Sequence, residues 1–535
     1  MANTRSANPS LFNTGVQVAM LILSVPIFLV LAGWVLLLVH RLNKKSGIHW
    51  LISTVVSLLS FIGWGVIGGF GTAPVLIDLA QLPFGIPEGI SFSMDTISRG
   101  VGVVLLAFLV FVLNSWMVKL DEAHIFRRVQ HIFLLAAVSL CLISASTLLT
   151  WVAVLIVLDF IDLLHLLRQI RVIESPKRYF TSALISLAGT LVFFLGWLLS
   201  IHTSAASVLS REILYAGLFI HLWGGFYRLE KQNPSTHSDA TFEEALFLLI
   251  PLLVFFMRYP IGSVLPIWMQ YLLAIGIVMM VFHLVQWLRS TTRSTSIPHF
   301  YAFQMLFLLV YIQAGTIPGI VAMVFCFLLS AGVLYFRPIP HSFYLWFAFP
   351  LFALLIGLPF LPTSSILTLN DPQYNGIFIF YFLFLLGIWK RYETNQPSLI
   401  VFERWMKVLY PIAFVPFLGG LVYLVLMRDI PIQLGAYLLS GGLGLILLIL
   451  FIYQQLRRKN ILAENESLQW IKPVLELLWS RIMIVVNQRW IERFLQFLGG
   501  LVKRILDFLN HIMEGDGALL WAIVLLILFL SIVRG

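Results

Sequence analysis

Apolar runs of about 20 residues, the length that crosses a hydrocarbon core as a helix, succeed one another along almost the whole chain, parted by short polar loops. No other feature restricts the fold as much. In lipid the backbone N–H and C=O groups have no water to bond, so each run must become a helix that satisfies its own groups. Hydropathy places spans near 17–40, 50–70, 96–118, 126–143, 147–168, 179–201, 208–228, 241–257, 264–288, 299–314, 317–336, 342–362, 375–390, 406–427 and 433–456. The first run is longer than a signal-peptide core, and Arg41, Lys44 and Lys45 follow it rather than a small-residue cleavage site, so it reads as a first helix. The predicted fold class is an all-α polytopic membrane protein with about 15–16 transmembrane helices. Of the 535 residues, 60% are hydrophobic and 11% charged, against about 25% charged in ordinary soluble domains. Soluble-enzyme and nucleic-acid-binding classes are thereby excluded, and the bilayer becomes the first expected partner.

The net charge of +10 reflects orientation rather than a polyanionic ligand. Lys44, Lys45, Arg127, Arg128, Lys177, Arg178, Arg228, Arg289, Arg337, Lys390, Arg391, Arg457 and Arg458 all fall in alternate loops, whereas the opposite side carries only Arg5, Arg99, Arg211, Arg258 and Arg428. Under the positive-inside rule the basic loops are cytoplasmic and the N-terminus lies outside. The localisation expected is multi-pass, in a bacterial inner membrane. Residues 466–513 depart from the pattern. Ile471, Val474, Leu475, Leu478, Ile482 and Val485 recur at helical spacing among Lys472, Glu476, Arg481 and Arg489, which predicts an amphipathic helix lying along the membrane. The Glu514-Gly515-Asp516-Gly517 turn and a last apolar run, Ala518 to Val533, follow it.

Ionisable groups inside the bilayer cost about 2.5–3.5 kcal/mol each on insertion scales, so those retained are functional candidates. The fifth span holds the densest set: Asp159, Asp162, His165 and Arg168, each three residues after the last. That spacing keeps them on adjoining sides of one helix face, as a ladder able to load and release protons without a metal or a covalent step. The alternative is a static polar seam between helices, and for Arg168, near the span end, snorkelling fits best. His221, ahead of Gly224-Gly225, and His283 are further candidates for the ion pathway. Gly224, Gly225, Pro251 and Pro359 are predicted helix interruptions, with Pro350 and Pro362 flanking the last. Gly65, Gly68 and Gly69 read as a packing face. Cys141 and Cys326 lie in apolar runs with no CxxC or Cys/His cluster, so no disulfide, metal or other cofactor is expected.

The order of these features resembles the antiporter-like, proton-translocating membrane subunits of respiratory complex I and of multisubunit Na+/H+ antiporters. Phe92-Ser93-Met94-Asp95-Thr96-Ile97-Ser98 is similar to the family's Phe-x-x-Asp-x-x-Ser opening of the third helix. Asp159 falls at the glutamate position of the fifth-helix motif, and His221 at the lysine of the broken seventh helix. Arg293 to Ser296 is similar to a basic stretch before the tenth helix, and Gly357-Leu358-Pro359 to the Gly-Leu-Pro of the broken twelfth. The resemblance implies two inverted five-helix repeats, 126–258 and 259–390. Helices one to three precede them (1–125) and helices fourteen and fifteen follow (391–465), then a lateral helix (466–513) and a final span (514–535).

The chain departs from that family in carrying no lysine between Lys231 and Lys390 and no acid or lysine in the span 342–362, so a complete central relay cannot be drawn. The function expected is a membrane subunit for proton or cation translocation in a complex I-like or antiporter assembly, with other membrane subunits as partners and no redox chemistry in this chain. The alternative is a non-conducting scaffold subunit of such an assembly. A polytopic lipid-linked glycosyltransferase ranks below both, since Asp78 and Glu88 on the loop 71–93 stand ten residues apart and unpaired. Cysteines placed beside Lys44, Arg178, Lys390 and Lys459 should be labelled only from the cytoplasmic side of intact cells, and labelling of any two from outside would refute the span count.

Overall fold

Twelve helices occur among the described residues, and those of the first 331 residues stand where hydropathy requires them. They are α1 (Pro9–Leu42), α2 (Ser46–Ile67), α3 (Thr96–Ser115), α4 (Ile125–Ser144), α5 (Leu148–Gln169), α6 (Pro176–His202), α7 (Ser207–Glu230), α8 (Asp239–Arg258), α9 (Ile267–Arg289), α10 (Arg293–Ala314), α11 (Ile317–Ala331) and α12 (Ile377–Thr394). The computed structural model describes residues 9–42, 46–67, 75–77, 89–115, 125–169, 176–202, 207–230, 239–259, 267–290, 293–332, 350–358, 361–367 and 372–394, with isolated positions elsewhere. A short antiparallel ribbon pairs β1 (Val75–Ile77) with β2 (Ile90–Phe92), Val75 opposite Phe92. The chain divides into two compact units, Met1–Gln455 and Leu456–Gly535, and the account below concerns the first. The predicted fourteenth and fifteenth spans, the amphipathic stretch 466–513 and the final span lie outside the described residues apart from single positions, as do Pro359, Asp78 and Glu88.

Among the described residues five helices are long and apolar enough to cross a membrane, Ile22–Val39, Ile48–Ile67, Thr96–Asn114, Phe180–Ile201 and Thr295–Ala314, while five further apolar helices are shorter. The apolar side chains sort by side. Leu31, Trp34, Val35 and Leu38 on α1, Leu51, Val55, Leu59 and Ile62 on α2, and Leu184, Leu187, Leu191 and Leu195 on α6 are exposed at helical spacing, as lipid-facing stripes must be. In contrast α3 is 89% buried across its span and packs on α2, α4, α8 and α11, which makes it the core of the bundle. The fold is thus an integral, multi-pass membrane bundle.

The most extensive helix pair, α6 with α7, rests on glycines seven residues apart on each partner. Gly196 faces Leu214, Gly217 faces Phe193, Gly189 faces His221 and Gly224 faces Ser186 in one antiparallel register. A Cβ on Gly217 would lie 2.4 Å from the Phe193 nitrogen, and one on Gly189 2.4 Å from that of His221, so only hydrogen permits the approach. Ser182 Oγ donates to the Gly224 carbonyl at 2.7 Å across the same seam. Small residues let backbones close together where lipid offers no hydrophobic drive. Here the structure corrects the expected interruption at Gly224-Gly225: α7 runs unbroken through both, because close packing, of Gly224 against α6 and of Gly225 against Leu249 of α8, is what these glycines permit. Gly65 is corrected in the opposite sense, since a Cβ there would meet nothing within 4 Å.

Pro251 also fails to break its helix, and α8 continues through it. A proline in a helix strips the carbonyl four residues earlier of its donor, which here is Phe247. Ser139 Oγ of α4 donates to that carbonyl at 2.5 Å, so a neighbouring hydroxyl replaces the missing N–H. In the predicted twelfth span the helical stretch 350–356 does end, at Gly357 with φ +68°. Gly357 N–H donates to Leu354 O at 3.1 Å and Leu358 N–H to Ala353 O at 3.4 Å, the Schellman arrangement in which a left-handed glycine closes a helix. Side chains add donors to carbonyls on either side of the break: Thr363 Oγ1 donates to Leu354 O at 2.6 Å, Tyr311 to Ile366 O at 2.5 Å, and Tyr381 to Leu355 O. Short 3-10 turns, Pro362–Leu367 and Pro372–Gly376, lead from there to α12.

These pairings predict a coupled effect. Ser139→Ala should destabilise the bundle by about 1–3 kcal/mol, the cost of a stranded buried carbonyl, but should cost almost nothing once Pro251→Ala has restored the N–H. Unfolding free energies of the two single variants and the double variant in detergent measure that coupling, and additive costs would contradict it.

Candidate functional site

One hydrogen-bond chain joins α5, α6 and α7 inside the bundle. Thr190 of α6 donates from Oγ1 to Asp159 Oδ2 of α5 at 2.6 Å, and the same oxygen lies 3.0 Å from His221 Nδ1 of α7. His221 Nδ1 also lies 3.1 Å from the Ser186 carbonyl oxygen, an atom that only accepts. The proton of the neutral ring therefore belongs on Nδ1, and the order of donors reads Nδ1–H to Oγ1–H to carboxylate. Asp159 and His221 approach directly to 3.8 Å, with side chains 10% and 6% exposed. Their closeness follows from the glycine register, because Gly189 faces His221 and Thr190 stands next to it.

A cavity of about 20 Å³ opens beside this chain, lined by Asp159, Asp162, Ser186, His221, Gly225 and Leu249 among others. That volume holds about one water when polar partners surround it. Asp162, 8% exposed, borders the same space one helical step beyond Asp159. Of the predicted ladder Asp159 and Asp162 border this one place, together with the separately predicted His221. His165 continues α5, and its side chain lies outside the described residues.

His283 is not part of this site. On α9 it is buried, with Nδ1 at 3.0 Å from Nδ1 of His299 on α10. Phe282 stands edge-on to both rings. Gln304 of α10 is engaged in structure: it donates to Phe327 O at 3.2 Å and to Ser330 Oγ at 3.1 Å, besides the tyrosine and threonine bonds to the broken helix described above. Among the described residues no group of three or more His, Cys, Asp or Glu side chains is placed to hold a metal ion.

The Asp95 segment anchors a different structure at one end of the bundle. Asp95 caps α3, accepting from Ser98 N–H at 2.7 Å, as N-cap carboxylates do. Arg258, the last residue of α8, grips it in bidentate fashion, Nε to Oδ2 at 3.0 Å and Nη2 to Oδ1 at 2.9 Å, and donates also to Ser98 Oγ at 2.5 Å and to Ala145 O. Ser93 N–H to Ser144 O at 2.7 Å and Ser146 N–H to Ser91 O at 3.0 Å complete the clasp. It ties the start of α3 and the α4–α5 turn to the end of α8.

The bundle and its buried carboxylate–hydroxyl–imidazole chain define a polytopic membrane protein with a titratable seam. No protein-family profile and no curated protein sequence matches the chain. Its fold, however, is found in solved respiratory complexes. One chain of a membrane-bound sulfane sulfur reductase (MBS), an archaeal respiratory membrane complex, superposes with a TM-score of 0.54 at 10% identity, over 80% of this chain and 96% of that one. A chain of respiratory complex I from Thermus thermophilus with bound NADH superposes with a TM-score of 0.51 at 15% identity, over 79% of this chain and 99% of that one. The resemblance drawn from motif order therefore stands at the level of fold.

Sequence reasoning missed Thr190, Ser186 and His299. Thr190 and Ser186 look like ordinary small polar residues of an apolar span, and His299 was hidden by its place near the start of a helix. The clasp supplies the pH test. Burial alone would raise Asp95, but the Arg258 guanidinium, its charge and the Ser98 bonds outweigh that and hold the carboxyl below its ordinary value. A lowered folded-state pKa gives stability that is complete above the unfolded value, about 3.9, and is lost as pH falls through the folded one. The melting temperature of Asp95→Asn should therefore lie below wild type by a constant margin from pH 7 to about pH 4, a margin that shrinks in stronger acid. A difference independent of pH down to acid unfolding would contradict the pairing.

Proposed function

We propose that this chain is a membrane subunit of a multisubunit respiratory-type assembly and that Asp159, Thr190 and His221 form its proton-binding site. The observation that carries the proposal is the Asp159–Thr190–His221 chain, buried where three helices meet and bordered by a cavity sized for one water. A carboxylate in such a place holds a proton or a charge according to the charge of the imidazole beside it, and in the geometry seen the neutral, Nδ1-protonated ring donates through Thr190 to Asp159. A proton taken up on His221 Nε2 lets the ring pass its Nδ1 proton to Thr190 Oγ1 as the Thr190 hydrogen moves to the Asp159 carboxylate, which leaves a neutral ring protonated on Nε2 and a neutral acid. Asp162 and the cavity give the pair a second route for exchange.

The fold shared with chains of MBS and of complex I supports partnership with other membrane subunits, which would supply the energy. The orientation with the N-terminus outside, the two five-helix repeats and residence in a bacterial inner membrane are part of the same proposal. A scaffold role is the second reading. What favours it is the other half of the bundle, where Tyr311, Tyr381, Thr363 and Gln304 are committed to backbone carbonyls or to packing.

Asp159→Asn keeps the side-chain volume and Thr190→Val keeps the shape of its residue while removing the hydroxyl. Both should assemble with the host complex at wild-type yield. Ion movement by that complex, followed with a pH-sensitive dye in proteoliposomes, should fall by about tenfold or more for Asp159→Asn and less for Thr190→Val and His221→Phe. Wild-type rates in all three assembled variants would leave the scaffold reading.

A further inference from the structure

We infer that His283 and His299 form a second proton-transfer site, a histidine dyad in the half of the bundle that lacks a carboxylate ladder; this rests on the proton-moving reading above. The Nδ1 atoms lie 3.0 Å apart, with ring centroids at 5.2 Å and planes 36° from each other. At that separation one nitrogen must donate and the other accept, because two facing N–H groups or two lone pairs would repel. The rings therefore hold opposite tautomers, one protonated on Nδ1 and its partner on Nε2.

Such a pair can hold one extra proton between its rings, and a second only by losing its contact. The extra proton arrives on the unprotonated Nε2 of the first ring, which becomes imidazolium. Its Nδ1–H bond then breaks as an Nδ1–H bond forms on the partner, carrying the charge across. The partner releases its own Nε2 proton, leaving two neutral rings with exchanged tautomers. Atoms and charge balance, and no co-reactant beyond water is needed.

The setting suits transfer rather than a mere polar contact. His283 sits six residues before Arg289, the end of α9, and His299 six after Arg293, the start of α10, so both stand about 9 Å inside the same end of the helix pair. His283 is 5% exposed, and Phe282 shields both rings. The described charged side chains on the elements packed around the pair lie elsewhere. Arg391 of α12 donates to Ser290 and the Trp287 carbonyl while stacking over the Trp287 ring. Arg289 is at the helix end, and Arg211, Glu212 and Arg258 stand at the opposite ends of α7 and α8.

The test uses the host membrane complex isolated with this chain, its histidines labelled with 15N. Nitrogen spectra should reveal one N–H···N bond that disappears in both His283→Gln and His299→Gln, and a single proton taken up jointly by the two rings. Each variant should slow ion movement by at least about tenfold without lowering assembly. Two independently titrating rings, or wild-type ion movement in either assembled variant, would overturn the inference. Asp159→Asn, run in parallel, separates the two proposals. Loss with Asp159→Asn alone ends the dyad and leaves the Asp159 site, whereas loss with the histidine variants alone does the reverse.

Discussion

Backbone contact between α6 and α7 is the constraint on which the interior depends. Gly189, Gly196, Gly217 and Gly224 carry no side chain at four points along the line where the two helices meet, and the backbones close there until a Cβ has no room. Without that approach the Ser186 carbonyl and the Thr190 hydroxyl, both on α6, could not reach the His221 ring on α7 at 3.1 and 3.0 Å. The site is thus not a set of polar residues inserted into a finished bundle. It is the polar end of a packing device: hydrogen at the glycine positions, then hydroxyl and imidazole where the same register offers space. Asp159 completes it from α5, whose own packing is against α4 and α6.

A second rule governs the helix irregularities, that a carbonyl freed at membrane depth needs a new donor. Pro251 and Gly357 illustrate two ways of obeying it. Where proline removes an N–H but the helix is held on both sides, a single hydroxyl from Ser139 suffices and α8 passes straight through. Where the chain leaves the helix altogether, a positive-φ glycine closes the last turn and Thr363, Tyr381 and Tyr311 take the carbonyls on either side of the break. The difference lies in how many donors are lost at once, one at Pro251 and several beyond Gly357.

These rules explain what could be read from the sequence. Hydropathy found the helices because each must be long and apolar by itself, a property of single segments; α4, predicted over 126–143, is observed over Ile125–Ser144. Asp159 and Asp162 were legible for the same reason, since a carboxylate in an apolar run carries its own cost wherever it sits. Gly224-Gly225 was misread because a glycine's effect depends on its partner. Against Ser182 and Ser186 it draws two helices together, and that partner lies about forty positions away in sequence. Thr190 and His299 were invisible on the same principle: a hydroxyl or an imidazole becomes part of a relay only through the atom it meets across a helix pair.

Two regions of the bundle carry different chemistry. Around α5 to α7 a carboxylate, a hydroxyl and an imidazole are in series, and the net charge of the site changes with each proton gained. Around α9 and α10 the groups are two imidazoles, whose pair is neutral or singly positive but never negative. A carboxylate buried in lipid needs a cationic or donating neighbour close by, and His221 and Thr190 provide it; the second half offers no described lysine or arginine facing its interior to play that part. A histidine pair needs no such neighbour, because its resting form carries no charge. The absence of lysine between Lys231 and Lys390 therefore constrains what kind of titratable group the second half can bury, and imidazole is the side chain that meets the constraint.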